Sequence, residues 1–227
     1  MKAAQLFDVR GRIVFVTGAA SGLGLAYSEV LGVNGAHVVM TDLDRKTLEE
    51  QAQSLERGGA SVETLGLDVG DTQALRAAIA GTAEKHGRLD VVFANAGISA
   101  GTGPFTEAGA IANVALERWK NVVDVNLTSV FATVQAAAVP MTAQGSGRII
   151  VTSSIGGMKS EPMVGYAYAA TKAALNNLVR HAAVELAQHN VLVNAIAPGP
   201  FLTNIANGRV KNDPAVRKQF EDMIPLH

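Results

Sequence analysis

Lys172 follows Tyr168 by four positions, a spacing that places both side chains on one face of a helix. A free tyrosine has a pKa of about 10 and is a poor base at neutral pH, but a nearby ammonium group stabilises the phenolate. The pair could therefore exchange a proton with an alcohol. Tyr166 is a weaker candidate, because its distance from Lys172 turns it roughly a third of a circle away.

Ser153 and Ser154 end a predicted strand and bring hydroxyl groups to the edge of a sheet, where a substrate carbonyl could accept a hydrogen bond. Adjacent strand residues face opposite sides, so only one of the two is expected to point into a site. Both could instead satisfy backbone groups at the strand end.

A glycine-rich turn runs from Thr17 to Gly24, between a predicted strand and a helix that continues to about Asn34. Glycines permit a tight turn, let backbone N–H groups approach a pyrophosphate and direct a helix N-terminus at it. The spacing is Gly-x-x-x-Gly-x-Gly, and the Lys-Ser/Thr of a nucleoside triphosphate loop does not follow. The turn therefore predicts a dinucleotide site.

Asp42 ends the next strand, 18 residues after Gly24. An acidic side chain at this place can accept hydrogen bonds from the adenosine ribose and repels a 2'-phosphate, which predicts NAD rather than NADP. Arg45 lies one helical turn beyond and could reach such a phosphate. Asp42 could alternatively cap the helix that starts near Asp44.

Short β-branched runs alternate with helical patterns along the chain, which predicts one α/β domain over residues 1–227. Near-continuous apolar runs such as Val91–Ala94 indicate strands covered on both faces, hence a doubly wound parallel sheet (Rossmann fold) in three α/β/α layers. The predicted strands are Ile13–Thr17, Ala36–Thr41, Ser61–Leu67, Val91–Ala94, Arg148–Ser153 and Val191–Ala195.

Composition narrows the function classes. The formal net charge of -1, without a basic block, disfavours nucleic acid, and no apolar stretch approaches the length that spans a bilayer, so we expect no membrane partner either. There is no cysteine and no signal peptide pattern, which favours the cytoplasm. The five histidines show no metal-ligand spacing, so no metal is predicted. The sequence contains no Gly-x-Ser-x-Gly elbow, which argues against a serine hydrolase of the α/β type.

Taken in order, these features resemble the short-chain dehydrogenase/reductase family over nearly the whole chain. The matching positions are Thr17 to Gly24 (with Gly18, Ser21, Gly22 and Leu23), Asp68-Val69, Asn95-Ala96-Gly97, Asn126, Ser154, Tyr168, Lys172, Pro198-Gly199 and Thr203.

The resemblance implies a role for each position. Asp68 and Val69 contact the adenine, and Asn95 to Gly97 line the cofactor and steady the sheet. Asn126 holds a water in a proton relay, and Ser154 polarises the substrate oxygen. Tyr168 exchanges the proton, while Lys172 binds the nicotinamide ribose and lowers the pKa of Tyr168.

The remaining cofactor contacts implied by the resemblance lie after the last predicted strand. There Pro198, Gly199 and Thr203 hold the nicotinamide carboxamide. The chain is also expected to form a homo-oligomer, a tetramer or a dimer.

Two features depart from the family pattern. The interval from Ser154 to Tyr168 is one residue longer than the commonest spacing, so Ser153 stays an alternative to the favoured Ser154. The sequence given stops at His227, where family members usually continue to a final strand, and we expect that strand to be missing here. The substrate loop is expected over about 200–227, and the Gly- and Ala-rich segment 98–115 is predicted as a second loop at the substrate mouth.

The sequence thus predicts an oxidoreductase that interconverts a secondary alcohol and its ketone with NAD(H). Ile98, Met158, Met163, Phe201, Leu202 and Ile205 suggest a hydrophobic substrate. The alternative is an NAD-binding regulatory or structural protein that keeps the fold without turnover.

Overall fold

Six parallel strands form the centre of the computed structural model, which describes residues 7–222 and 224. Their order across the sheet is β3-β2-β1-β4-β5-β6. The strands are β1 Ile13–Thr17, β2 His37–Asp42, β3 Ser61–Gly66, β4 Val91–Ala94, β5 Gly147–Thr152 and β6 Val191–Ile196. The predicted fold class is confirmed, and each predicted strand end lies within one residue of the observed one.

Eight α-helices connect and follow these strands in the described part of the chain. They are α1 Gly22–Val33, α2 Arg45–Arg57, α3 Thr72–His86, α4 Leu116–Val123, α5 Ser129–Gln144, α6 Tyr166–Leu186, α7 Ile205–Asn212 and α8 Pro214–Glu221. The order of the sheet reverses between β1 and β4, because the chain moves outwards through β2 and β3 and then crosses back. Such a crossover opens a crevice at the carboxyl ends of the strands.

Two hydrophobic cores cover the two faces of the sheet, as a three-layer fold requires. On one face, Phe15, Ile149 and Val193 pack against the helices α3, α5 and α6. On the other face, Val16 and Met40 pack with residues of the α1 and α2 layer. Successive residues of one strand thus enter opposite cores, which explains why whole strands are apolar in the sequence.

Helices α4 and α5 are joined by a π-helical segment, Asp124–Thr128, into one continuous helix from Leu116 to Gln144. By length and composition this helix could cross a membrane, so the expectation that no stretch is long enough is wrong. Its Val130, Val134 and Met141 are buried in the core against the sheet, which accounts for its apolar character within the fold.

The two predicted loops differ from one another. The segment 98–115 is irregular apart from a short 3-10 turn at Ile111–Asn113, as predicted. The expected substrate loop contains helices α7 and α8, and its residues 223 and 225–227 lie outside the described part. Pro214 at the start of α8 and the Asp213 cap, which accepts N–H groups of Ala215 and Val216, explain why a helix forms there.

Candidate active site

A cavity of ≈ 410 Å³ opens at the carboxyl edge of the sheet. Fourteen of the residues expected to bind cofactor or act on substrate line it, and they come from the segments that follow β1, β2, β4, β5 and β6, from the start of α1 and from α6. They are Gly18, Ser21, Gly22, Leu23, Asp42, Asn95, Ala96, Gly97, Ser154, Tyr168, Lys172, Pro198, Gly199 and Thr203. Gly24, Asp68, Val69 and Asn126 are not part of the cavity wall.

The glycine-rich turn brings backbone into close contact at two places. Gly18 has a φ of +69°, and a Cβ there would lie 2.9 Å from Cα of Ala96. A Cβ on Gly24 would overlap the carbonyl oxygen of Gly18, so Gly24 allows α1 to start directly against the turn. Ser21 precedes α1 without a side-chain capping bond in the described chain. Ser21, Gly22 and Leu23 line the cavity, so the start of α1 borders it at a position that fits a pyrophosphate.

Asp42 accepts hydrogen bonds from the backbone N–H of Ala20 at 3.0 Å and of Asp44 at 3.1 Å. The carboxylate is thereby fixed against the glycine turn and still borders the cavity. The cap of α2 is Asp44, whose side chain accepts the N–H of Thr47, so the alternative interpretation of Asp42 as the helix cap is wrong. A fixed carboxylate at this edge fits the two ribose hydroxyls of an adenosine.

Arg45 and Asp68 lie at the same edge but outside the cavity. The guanidinium of Arg45 is 3.5 Å from the carbonyl oxygen of Gly66, in a separate shallow depression. Asp68 accepts the N–H of Gly70 at 2.8 Å, which orders the turn after β3. Val69 packs against the core beneath.

Asn95 joins three strands at the floor of the site. Its Nδ2 donates to the carbonyl of Thr17 at 2.9 Å, and its Oδ1 accepts the Thr152 hydroxyl at 3.0 Å. The hydroxyl of Thr17 accepts the N–H groups of Asn95 and Ala96. This network fixes the ends of β1, β4 and β5 relative to one another.

Lys172 is almost fully buried, and its Nζ donates to the carbonyl of Thr152 at 2.6 Å. Burial lowers the pKa of this ammonium to about 8, because a charged group loses hydration inside the protein. Nζ lies 5.6 Å from the centre of the Tyr168 ring. The helix α6 therefore holds both groups on the face predicted from their spacing.

Burial raises the pKa of the Tyr168 phenol, and a hydrogen bond to Ser154 acts in the opposite direction. The net direction is opposite to the lowering expected from the resemblance. The reason is that burial destabilises the phenolate. Tyr166, the rejected candidate, begins α6 and is more than a third exposed.

The two serines at the end of β5 have different partners. The hydroxyl of Ser153 donates to the carbonyl of Lys172 and to Oδ1 of Asn176, at 3.2 and 2.6 Å. Ser154 instead lies beside Tyr168, and its Oγ accepts the N–H of Gly156 at 3.1 Å. Ser154 also lines the cavity, next to the phenol with which its hydroxyl is hydrogen-bonded.

Asn126 lies in the π-helical segment behind the cavity floor and is completely buried. Its amide exchanges two hydrogen bonds of 2.8 Å with the N–H and the carbonyl of Ile98. A Cβ on Gly97 would lie 3.3 Å from its Oδ1 and 3.7 Å from Nζ of Lys172. Asn126 thus positions the loop after β4, and its expected relay role stays a prediction. π-helical turns are frequent at functional sites.

Glu161 is a wall residue to which the sequence analysis gave no role. Its Oε1 is buried and has no hydrogen-bond partner among the described residues. The sequence feature that could have pointed to Glu161 is the extra residue between Ser154 and Tyr168, because a longer interval next to the catalytic groups changes the cavity wall. Of the apolar residues expected around a substrate, Met163, Phe201 and Ile205 line the cavity, whereas Ile98, Met158 and Leu202 do not.

A cavity that lies at the crossover of a parallel sheet and is lined by a glycine-rich turn is typical of dinucleotide-binding proteins. The family model described as short chain dehydrogenase matches residues 12–214. The chain therefore belongs to the short-chain dehydrogenase/reductase family, whose members are oxidoreductases that bind a nicotinamide cofactor and act on small molecules.

Individual relatives cover most of the chain. Levodione reductase of Leifsonia aquatica is 35% identical over 95% of this chain and 80% of its own length. The 5-keto-D-gluconate 5-reductase of Escherichia coli K12 is 32% identical over 92% and 79%. A solved structure from Beutenbergia cavernae, described as a candidate NAD(P)-dependent gluconate 5-dehydrogenase with NADP at low occupancy, has a TM-score of 0.85. It is 33% identical, with 96% of this chain and 84% of that one covered.

Proposed function

We propose that this protein interconverts a secondary alcohol and its ketone with NAD(H). The observation that carries the proposal is the convergence of Ser154, Tyr168 and Lys172 in one cavity with the glycine turn and Asp42. The first three are suited to proton exchange with a hydroxyl group, and the last two are suited to a dinucleotide. The cavity thus combines the two functions that such a reaction needs.

In the direction of oxidation, the Tyr168 phenolate accepts the hydroxyl proton of the alcohol. Ser154 donates a hydrogen bond to the substrate oxygen and orients it. Lys172, held by Thr152, favours the charged phenolate. A bound NAD+, held by the glycine turn and Asp42, would supply the hydride acceptor, and its positive charge would favour the phenolate over the neutral phenol that burial alone would retain. Reduction of the ketone runs through the same groups in reverse.

NAD is proposed over NADP because of the carboxylate at Asp42. A 2'-phosphate would meet this negative charge, while Arg45, its possible partner, is turned to the carbonyl of Gly66. The neighbour from Beutenbergia cavernae carries NADP, so relatives of this fold can use either cofactor. Cofactor choice in this chain then depends on the residue at the end of β2.

The substrate is proposed to have an apolar body with a polar group at one end. Met163, Val164, Phe201 and Phe220 form apolar parts of the wall, and Glu161 supplies an acceptor. One relative is a levodione reductase and another is a 5-keto-D-gluconate 5-reductase. A hydroxy ketone or a diol would match both parts of this wall.

Steady-state assays with NAD+ and NADH against panels of secondary alcohols and ketones test the proposed function. NADH binding should appear in a fluorescence titration, together with turnover of at least one member of the panel. NADH binding without any turnover would favour the alternative, a regulatory or structural protein with this fold.

Ser154→Ala should lower kcat/KM by about 10²-fold, because one donor to the reacting oxygen is worth that much in preorganised sites. Ser153→Ala is the matched control, since its hydroxyl is engaged with α6. We expect it to lower the melting temperature by a few degrees, consistent with the loss of one or two buried hydrogen bonds, with kcat nearly unchanged. A larger loss of kcat in Ser153→Ala than in Ser154→Ala would reverse the assignment.

Glu161→Gln should raise KM for a hydroxylated substrate by about 10-fold and leave KM for NAD+ unchanged, because a hydrogen bond to a charged acceptor contributes about 1.5–3 kcal/mol. The comparison is made with a substrate analogue that lacks the second hydroxyl, for which the variant should equal the parent. Equal effects on both substrates would contradict a contact between Glu161 and substrate.

Homo-oligomerisation and a cytoplasmic location are also proposed. Phe131 and Val139 on α5 and Val184 on α6 are exposed apolar side chains, which is typical of surfaces that meet a partner subunit. Analytical ultracentrifugation of the purified chain tests the first of these proposals.

A further inference from the structure

A second cluster of titratable side chains lies at the other end of the sheet. It consists of His37, the first residue of β2, Glu63 in β3 and His86, the last residue of α3. The register pairs His37 with Ser61 and Val39 with Glu63, so His37 and Glu63 lie on the same face of the sheet. Helix α3 packs over that face and brings His86 to them.

The three side chains present their donor atoms to one point. Nε2 of His86 is 3.3 Å from one oxygen of Glu63, and Nε2 of His37 is 3.7 Å from the other. All three donor atoms lie within 4.8 Å of one another. Bonds of about 2.0–2.1 Å in a tetrahedral zinc site separate neighbouring donors by about 3.3 Å. Small side-chain rotations would therefore suffice to close the cluster around an ion.

The hydrogen bonding of His37 is incomplete without a further group. Its Nε2 is buried and has no hydrogen-bond partner among the described residues. Its Nδ1 is 2.7 Å from Oγ of Ser61. A proton on Nδ1 leaves a lone pair on Nε2, directed into the cluster, and such a second hydrogen bond is what usually orients a metal-binding histidine.

The charges around the cluster are compatible with a cation. The C-terminal end of α3 directs its negative dipole towards His86. Lys85 donates to Glu63, but its side chain is 63% exposed and can turn into solvent.

We propose that His37, Glu63 and His86 bind a divalent transition metal ion such as zinc, with an open fourth position. Two imidazoles and one carboxylate are a common ligand set for zinc. The ion would clamp β2, β3 and α3 together. The site lies five residues along β2 from Asp42, about 16 Å away, and so acts on stability rather than on hydride transfer. The three ligands are spread over β2, β3 and α3, which is why no metal is predicted from the spacing of the histidines in the sequence.

Calorimetric titration of the chelator-treated full chain with ZnCl2 tests the proposal. We expect one equivalent to bind, and a rise in melting temperature of roughly 5–10 °C at a zinc concentration 100 times the dissociation constant. His37→Asn and His86→Gln should each lose this equivalent. His181→Gln, at an exposed position of α6, is the matched control and should keep it.

Two further variants separate the site from adventitious binding. Lys85→Ala should bind zinc several-fold more tightly, because a competing cation is removed from Glu63, while Glu63→Gln should lose the equivalent. NADH affinity should be the same with and without zinc. If His37→Asn does not fold, His86→Gln at the end of its helix supplies the result. Absence of zinc binding, or equal binding by His86→Gln and the parent, would overturn the proposal, whatever the outcome for turnover.

Discussion

Tyr168→Phe should reduce kcat/KM by about 10²–10⁴-fold in both directions, the range that positioned acid–base groups contribute. The phenylalanine ring fills nearly the same volume but cannot exchange a proton. Hydride transfer then takes place without a group that accepts or donates the proton of the substrate oxygen. NADH affinity should change by less than about threefold, since Lys172 and the glycine turn are untouched. Steady-state kinetics and fluorescence titration measure the two effects separately.

Tyr166→Phe provides the matched control, because Tyr166 lies on the same helix and is partly exposed. It should retain the activity of the parent. In the parent, alcohol oxidation should rise with pH and ketone reduction should fall, because the first needs the phenolate and the second the phenol. Because burial raises the pKa of Tyr168, we expect both rates to change with pH in the alkaline range. A Tyr168→Phe variant with more than a tenth of parental activity would remove the tyrosine from the mechanism.

Asp42→Ala should change the cofactor preference. We expect kcat/KM for NAD+ to fall by about 10- to 100-fold, because hydrogen bonds to a charged acceptor are worth about 1.5–3 kcal/mol. Activity with NADP+ should rise, since the carboxylate no longer repels a 2'-phosphate. Initial rates with both cofactors at a fixed alcohol concentration give the ratio.

Two companion variants identify the cause of that change. Asp42→Asn keeps an acceptor oxygen and removes the charge, so it should gain NADP+ activity with a smaller loss for NAD+. Adding Arg45→Ala to Asp42→Ala should abolish the gain if Arg45, which lies at that edge beside Gly66, is the partner of the 2'-phosphate. If the parent already prefers NADP+, or if Asp42→Ala leaves the preference unchanged, the proposed role of Asp42 is wrong. Melting temperatures identify any loss caused by the lost bonds to Ala20 and Asp44.

The strands and their two-sided burial could be predicted from the sequence, because local apolar runs and glycine turns report directly on a parallel sheet. The same holds for the relation of Tyr168 to Lys172, since helical periodicity fixes it. The end of β2 at Asp42 followed from the same pattern. These features depend on neighbours in the chain.

Features that depend on contacts between distant segments could not be predicted. The different partners of Ser153 and Ser154 appear only when β5 meets α6, and the buried oxygen of Glu161 only when the loop folds over the cavity. The direction in which the pKa of Tyr168 shifts depends on how far packing excludes water from the phenol. The spacing of residues along the sequence carries no information on this exclusion.

The sequence by itself determined the sheet, the glycine turn and the Tyr168–Lys172 pair, because each rests on local periodicity or backbone freedom. Only the tertiary structure decided which serine hydroxyl lies beside Tyr168 and which carboxylate caps α2. It also brought together His37, Glu63 and His86, which are 26 and 23 positions apart in the sequence. Strand register and helix packing bring such residues together, and no pattern within a single element records them.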